Sequence, residues 1–451
     1  MSHKPAFFFL LSLFLSPFSF FSLAQVPREI SPIEAPFTMP QLERPAFPDR
    51  ELSIVRTGAR PEVLSTKAIQ RAIDRLSGHG GGTVIVPAGS WLTGRLELKS
   101  NVCLRLDEGA CLRFSGDIAD YLPVVPTRNE GVDVYSLGAM IYAYKSENIG
   151  LTGSGTLVSP AYDCEVSLKA MGGVSADLEN TPLEARIFDG TTNEDGRVFM
   201  PTFFGPVECR NVLVEGVTFN GSIFWNIAPT YCENVIIRGV TVNSYGRGRT
   251  DGIDIDSSVN VLIEYVTLDC GDDTFTLKAG RGMDGLLRNR PTENVVIRYC
   301  TGLRGVGGIT IGSETAGMIR HVYAHDCEFQ QVKYPFYFKT RRPRGGGAED
   351  IYYERIHVVS CRREAITMDM LGNPAWVGPS AERLPAPAVG ALTPVFKDIH
   401  LSDITVDQCT SLIRAVGLPE QPVEGLTLIN VRVPNNSMSL QDVSLISVQN
   451  E

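Results

Sequence analysis

Asn211-Val212-Leu213-Val214, Asn234-Val235-Ile236-Ile237, Asn260-Val261-Leu262-Ile263 and Asn294-Val295-Val296-Ile297 are four copies of one motif, an Asn leading into an apolar run. They stand 23, 26 and 34 residues apart. Shorter copies lie upstream at Asn101-Val102 and Asn148-Ile149. Weaker ones follow at His321-Val322, Asp350-Ile351 and Asp398-Ile399. Short strand-forming runs at such a period, with no helical pattern between them, describe a solenoid. Each repeat is too small to bury its own apolar face and buries it against its neighbours. The expected fold is all-β, a single-stranded parallel β-helix, with the Asn residues stacked in turns where left-handed backbone is tolerated.

Five residues after the second residue of the motif lie Val217, Val240, Val266, Cys300, Cys327, Ile356 and Ile404. This column reads as an interior apolar position, so Cys300 and Cys327 are expected to be small core residues rather than halves of disulfides. Cys209 and Cys232 occupy matching places in adjacent coils, where a bridge is conceivable.

Outward from the repeat, the chain divides into three parts. Residues 1–24 read as an export signal: a weakly basic start at His3 and Lys4, an apolar run from Phe7 to Phe21, then Ser22-Leu23-Ala24. That implies a periplasmic or extracellular protein without a membrane span in the mature chain. Residues 25–52 form a Pro-rich extended arm, with prolines at 27, 32, 36, 40, 45 and 48. Residues 53–451 are expected to form the β-helix. It opens with a capping helix that starts near Ser65-Thr66, carries Ala68, Ile69, Ala72, Ile73 and Leu76 on one face, and stops at Gly80-Gly81-Gly82. Two segments interrupt the repeat, Gly116 to Tyr142 and Cys164 to Val198, and loops of this length on a solenoid usually wall a groove.

The net charge of −10 argues against nucleic acid as a partner. It leaves room for an acidic polymer where cations gather locally, and they do. Lys333, Lys339, Arg341, Arg342 and Arg344 fall in twelve residues without an acid, and Arg247, Arg249, Lys278, Arg281 and Arg304 come from neighbouring coils. No C-x-x-C and no His pair at ligand spacing occurs, so neither a metal nor another cofactor is expected.

Alignment on alternation lays Asp251-Gly252-Ile253-Asp254-Ile255 over Asp273-Thr274-Phe275-Thr276-Leu277. Gly307-Gly308-Ile309-Thr310-Ile311 and Tyr334-Pro335-Phe336-Tyr337-Phe338-Lys339 follow beneath. Asp251 then sits about one strand spacing, ~4.8 Å, from Asp273, with Asp272 beside them. Carboxylates this close raise one another's pKa, which supplies a proton donor next to a base, the pair that glycoside hydrolysis needs. Taken singly, each Asp also suits a turn.

These residues resemble a known family. Thr250-Asp251-Gly252-Ile253-Asp254, Gly271-Asp272-Asp273, Gly305-Val306-Gly307-Gly308, Ile311-Gly312-Ser313-Glu314 and Phe338-Lys339-Thr340 are similar to the motifs of glycoside hydrolase family 28, the polygalacturonase and rhamnogalacturonan hydrolase group. The resemblance implies a right-handed, pectate-lyase-like β-helix and hydrolysis of a galacturonic-acid-containing pectic chain with inversion and without a metal. It gives Asp272 the role of general acid and Asp251 and Asp273 that of activating water. Lys339, Arg249, Tyr337, Lys278, Glu314 and Arg304 are the candidate substrate-binding residues. Three positions depart from the pattern: Arg249 stands for the usual Asn, Val306 for a His and Tyr337 for an Arg. A thinned carboxylate clamp suits a neutral leaving-side sugar stacked on Tyr337, as in a rhamnogalacturonan, unless Arg249 restores the charge. The long insertions suggest an exo-acting enzyme. The competing readings are a β-helix polysaccharide lyase, which usually needs calcium, and a non-catalytic glycan-binding β-helix.

Overall fold

The computed structural model describes residues 26–449 apart from Ala176 and Glu194; the export signal expected over residues 1–24 lies outside them. The chain winds into a parallel β-helix. In its first column, Arg210–Glu215, Glu233–Arg238, Val259–Glu264 and Thr292–Arg298 pair in parallel, each with the next, and the ladder continues through the long bent strands Ile319–Lys339 and Gly347–Cys361. The motif Asn residues of these strands stand at their second or third position with left-handed φ, for instance 56° at Asn211 and 57° at Asn234. Their amides form a continuous ladder. Each Nδ2 donates to the Oδ1 of the previous coil, Asn148 to Asn101 at 2.9 Å, Asn211 to Asn148 at 2.8 Å, Asn234 to Asn211 at 3.0 Å, Asn260 to Asn234 at 3.1 Å and Asn294 to Asn260 at 3.0 Å. Side-chain amides therefore satisfy one another along the stack.

The interior is as the period requires. Ile253, Phe275, Ile309 and Phe336 are in register, as are Ile255, Leu277, Ile311 and Phe338, and all eight are buried. Cys300 and Cys327 sit in the interior column with Val217, Val240 and Val266. All ten cysteines are thiols, Cys209 and Cys232 included. The helix Thr66–Gly78 turns Ala68, Ile69, Ala72, Ile73 and Leu76 into the core at the N-terminal end. Ser65 precedes it without capping it, since its hydroxyl donates to the carbonyls of Val63 and Arg60 instead.

The Pro-rich segment is more than a linker. Leu42 is buried, and Ile30, Ile33, Ala35, Phe37 and Met39 pack with it against Leu213, Ile236, Leu262, Val296 and Tyr323, the outward-facing residues of the first column. Among the described residues no helix is long and apolar enough to cross a membrane.

Candidate active site

The site forms on the third column, where Ile253–Asp256 pairs with Phe275–Lys278, and that strand with the end of Thr301–Ile311. Asp251 and Asp273 immediately precede these strands in adjacent coils. Thr250 braces the turn that delivers them: its hydroxyl donates to the Arg247 carbonyl at 2.7 Å and accepts from the Gly271 N–H at 3.1 Å. Asn226 holds the Asp251 carbonyl through both its backbone N–H and its side-chain amide. Gly307 leaves room for the third carboxylate, because a Cβ there would fall 2.5 Å from Asp273 Oδ1. As a result, Asp251, Asp272 and Asp273 each present an oxygen within 4.8 Å of the others.

Burial and partners differentiate the three. Asp273 is buried and accepts the Lys339 ammonium at 2.8 Å, while its Oδ1 has no hydrogen-bond partner among the described residues. Asp272 is the most exposed, and its Oδ2 accepts the backbone N–H of Arg249 at 3.0 Å. Burial, then the Asp273 charge, raises the Asp272 carboxyl above the usual range, with Lys339 opposing. Burial raises Asp251 further, helped by Asp254, Asp272 and Asp273. Both carboxyls are thus raised, so each can hold a proton beside an ionised neighbour. Of the three, Asp272 is the member that reaches open space.

The candidate binding residues separate into two groups. Arg249, Lys278, Glu314 and Lys339 line the same cleft of about 240 Å³ as the three aspartates. Lys278 Nζ donates to Glu314 Oε2 at 2.9 Å and lies 4.9 Å over the Trp225 ring. Burial pulls Lys278 down, but Glu314, Asp254 and Asp251 outweigh it and its pKa is raised. Burial pushes Glu314 up, yet Lys278 and Arg344 hold it well below the carboxylate range. Arg249 has a left-handed φ of 62°, places its guanidinium 4.9 Å over Phe224 and pairs with Glu130 at 2.6 Å. Tyr337 and Arg304 are not among the lining residues. Tyr337 stacks on Tyr334 at 4.5 Å between centroids, and Lys339 Nζ lies 4.9 Å over its ring. Arg304 chelates Asp269 at 2.7 and 2.5 Å and covers Tyr245.

The first insertion reaches the cleft and the second braces it. The hairpin Val125–Asn129 with Val132–Ser136 carries Glu130 at its tip and is anchored by buried Arg128, which donates to Asp256 at 2.9 Å. The second insertion contributes the Val174 N–H to Glu130 Oε2 and Glu179 to Arg281. Of the basic run, Arg341 and Arg344 line the cleft, whereas Arg342 is tied to Glu420. Trp225, Ser313 and the wholly buried Asp254 are members of the neighbourhood that sequence reasoning did not single out. Trp225 falls outside the motifs, and Ser313 and Asp254, although inside them, gain their meaning from burial and packing.

The arrangement can donate a proton, activate a water and hold an anion within one cleft. Comparison with known proteins agrees. The chain is 30% identical to the hyperthermoactive exopolygalacturonase of Thermotoga maritima over 91% of this chain and 94% of that one, with a TM-score of 0.79. It is 28% identical to a probable polygalacturonase of Vitis vinifera, covering 82% of this chain and 71% of the relative. Identity to the exo-poly-α-D-galacturonosidase of Dickeya chrysanthemi is 25%, across 80% of this chain but only 62% of that protein. The profile of glycosyl hydrolases family 28 matches residues 186–439, more than half of the chain, and the chain belongs to that family.

Proposed function

We propose that this chain is a polygalacturonase-type hydrolase that removes galacturonate units from the end of a pectic chain. The carrying observation is a trio of carboxylates with oxygens within 4.8 Å of one another, in a cleft otherwise lined largely by cations. A cation-lined cleft suits an anionic polymer. The hairpin tip at Glu130 and the second insertion narrow one side, which favours end-on entry and an exo mode, as do the names of the Thermotoga and Dickeya relatives. Export fits a polymeric substrate outside the cell.

Asp272 protonates the glycosidic oxygen, and Asp251 and Asp273 together hold and deprotonate the attacking water. Asp272→Asn should lower kcat on polygalacturonate by about 10²–10⁴-fold, the usual worth of a positioned acid, with oligogalacturonate affinity preserved. Activity within tenfold of the parent would sink the assignment.

One observation favours a second stereochemical reading. The nearest oxygens of the three carboxylates approach more closely than the roughly 6.5–9.5 Å that usually separates the carboxyl groups of an inverting pair. Two carboxylates sharing one water need less room than a water spanning a single pair, so inversion remains our reading. The anomer first formed, followed by proton NMR, decides between the two. A rhamnogalacturonan substrate would need a neutral leaving-side subsite, and the stacking of Tyr337 on Tyr334 outside the cleft lining does not favour it.

A further inference from the structure

Four of the cations around the cleft are already committed within the protein. Arg249 pairs with Glu130 at 2.6 Å, Lys278 with Glu314 at 2.9 Å, Lys339 with Asp273 at 2.8 Å and Arg344 with Glu314 at 3.5 Å. Arg341 is different. It lines the same cleft, is partly exposed, and its guanidinium makes no hydrogen bond or ion pair among the described residues. Its stem is nonetheless fixed: Gly372 approaches so closely that a Cβ there would meet Arg341 Cδ at 3.4 Å and Cβ at 3.6 Å. The Asp369 carboxylate organises that opposing turn by accepting the N–H groups of Leu371 and Gly372 at 3.1 and 2.8 Å. The guanidinium is thus partly desolvated on a packed stem, and Glu314, Glu130 and Glu179 act on it only from beyond ion-pair distance.

Arg344 adds a second sign on the same wall. It is 6% exposed, and its Nη1 is buried with no hydrogen-bond partner among the described residues. Meanwhile Tyr337, at the position where the resemblance leads one to expect an arginine, is engaged by Tyr334 and lies under Lys339.

We propose that Arg341 grips the carboxylate of a substrate uronate, so that this chain draws its specificity-determining guanidinium from the loop after Lys339 rather than from the strand before it. The inference rests on the galacturonate reading above. Two N–H groups of a planar guanidinium match the two oxygens of a carboxylate, which a point charge at Lys339 does not. Arg344 stands beside it as a second positive charge facing the same anion.

The test uses the full chain carrying Asp272→Asn, which binds without turnover, titrated calorimetrically with trigalacturonate and with its methyl ester. Arg341→Met should weaken trigalacturonate binding at least about tenfold, as expected for a lost charge-assisted contact, and Arg341→Lys should recover part of it. The methyl ester should bind the parent and the Arg341→Met variant alike, which a merely structural role for Arg341 would not produce. Trigalacturonate affinity unchanged within twofold in Arg341→Met, with the parent binding well, would overturn the inference and leave the substrate reading standing. Failure of the parent to bind trigalacturonate would overturn both.

Discussion

At the scale of single residues, the site is a balance of buried charge, and Asp254 carries its clearest energetic consequence. It is wholly buried, neither oxygen is hydrogen-bonded among the described residues, and Lys278 Nζ stands 3.9 Å away while committed more closely to Glu314. Burial raises the Asp254 carboxyl well above the carboxylate range, against the opposing charge of Lys278. A carboxyl with a folded pKa above its unfolded value binds its proton more tightly in the folded state. Its stabilising contribution is complete below the unfolded value of about 4 and is lost as pH rises through the folded value. Asp254→Asn should therefore raise Tm at pH 7 and leave it nearly unchanged at about pH 3.5. A calorimetric scan showing a lower Tm at pH 7 would instead make Asp254 the ionised partner of Lys278. The three aspartates of the site were legible in the sequence because their chemistry lies in residue type and short spacing. Asp254 stood in the same motif but its burial could not be read there. Tyr337 and Arg304 were chosen for type and proximity in the chain, and the fold gives each a partner outside the cleft lining.

At the scale of elements, the motif Asn is the repeating device, and its two contributions are separable. Asn234 holds a left-handed φ of 57°, donates to Asn211 at 3.0 Å and accepts from Asn260 at 3.1 Å. Asn234→Ala loses both bonds and the short polar side chain that makes left-handed backbone tolerable, for a combined cost of about 2–4 kcal/mol. Asn234→Gly loses the bonds but not the conformation, and should cost about 1–2 kcal/mol less. Chemical denaturation that ranks the two variants equally would show that the ladder, and not the backbone, carries the effect. The same repeat hides a second ladder. The fourth residue after each Asn is Glu215, Arg238, Glu264 and Arg298 in turn; the last three are almost fully buried, and the four are linked at 2.8 Å from Glu215 to Arg238 and from Arg238 to Glu264, and at 2.8 Å again from Glu264 to Arg298. Its alternation of sign was present in the sequence, but apolar periodicity draws attention to the other positions. The segment from Leu371 to Pro394 escaped notice for a different reason. It falls between Asp350 and Asp398, where the Asn signal has already decayed and an interruption no longer stands out.

At the scale of the whole molecule, the β-helix has one working face and one covered face. The third column carries the cleft, while the first column turns Leu213, Ile236, Leu262, Val296 and Tyr323 outward beneath the Pro-rich arm. Proline content marks the arm as an extended segment. Whether an extended segment lies free or packed depends on an apolar stripe some 170 residues further on, and composition alone does not connect the two. The contact is reinforced by polar locks: Arg44 chelates Glu215 at 2.9 and 2.7 Å, and Arg298 donates to the carbonyls of Pro32 and Ser31 at 2.8 and 2.9 Å. Leu42, 4% exposed, is the apolar centre of the arm. Truncating it removes a buried side chain worth about 2–4 kcal/mol, and the loss falls on the arm because each part of a solenoid is held mainly by its neighbours. Leu42→Ala should therefore speed proteolytic cleavage within residues 26–50 while kcat on polygalacturonate stays within twofold of the parent. Cleavage at the parent rate would mean that the polar locks alone hold the arm. A matching fall in kcat would mean that the covered face and the working face are coupled through the coils between them.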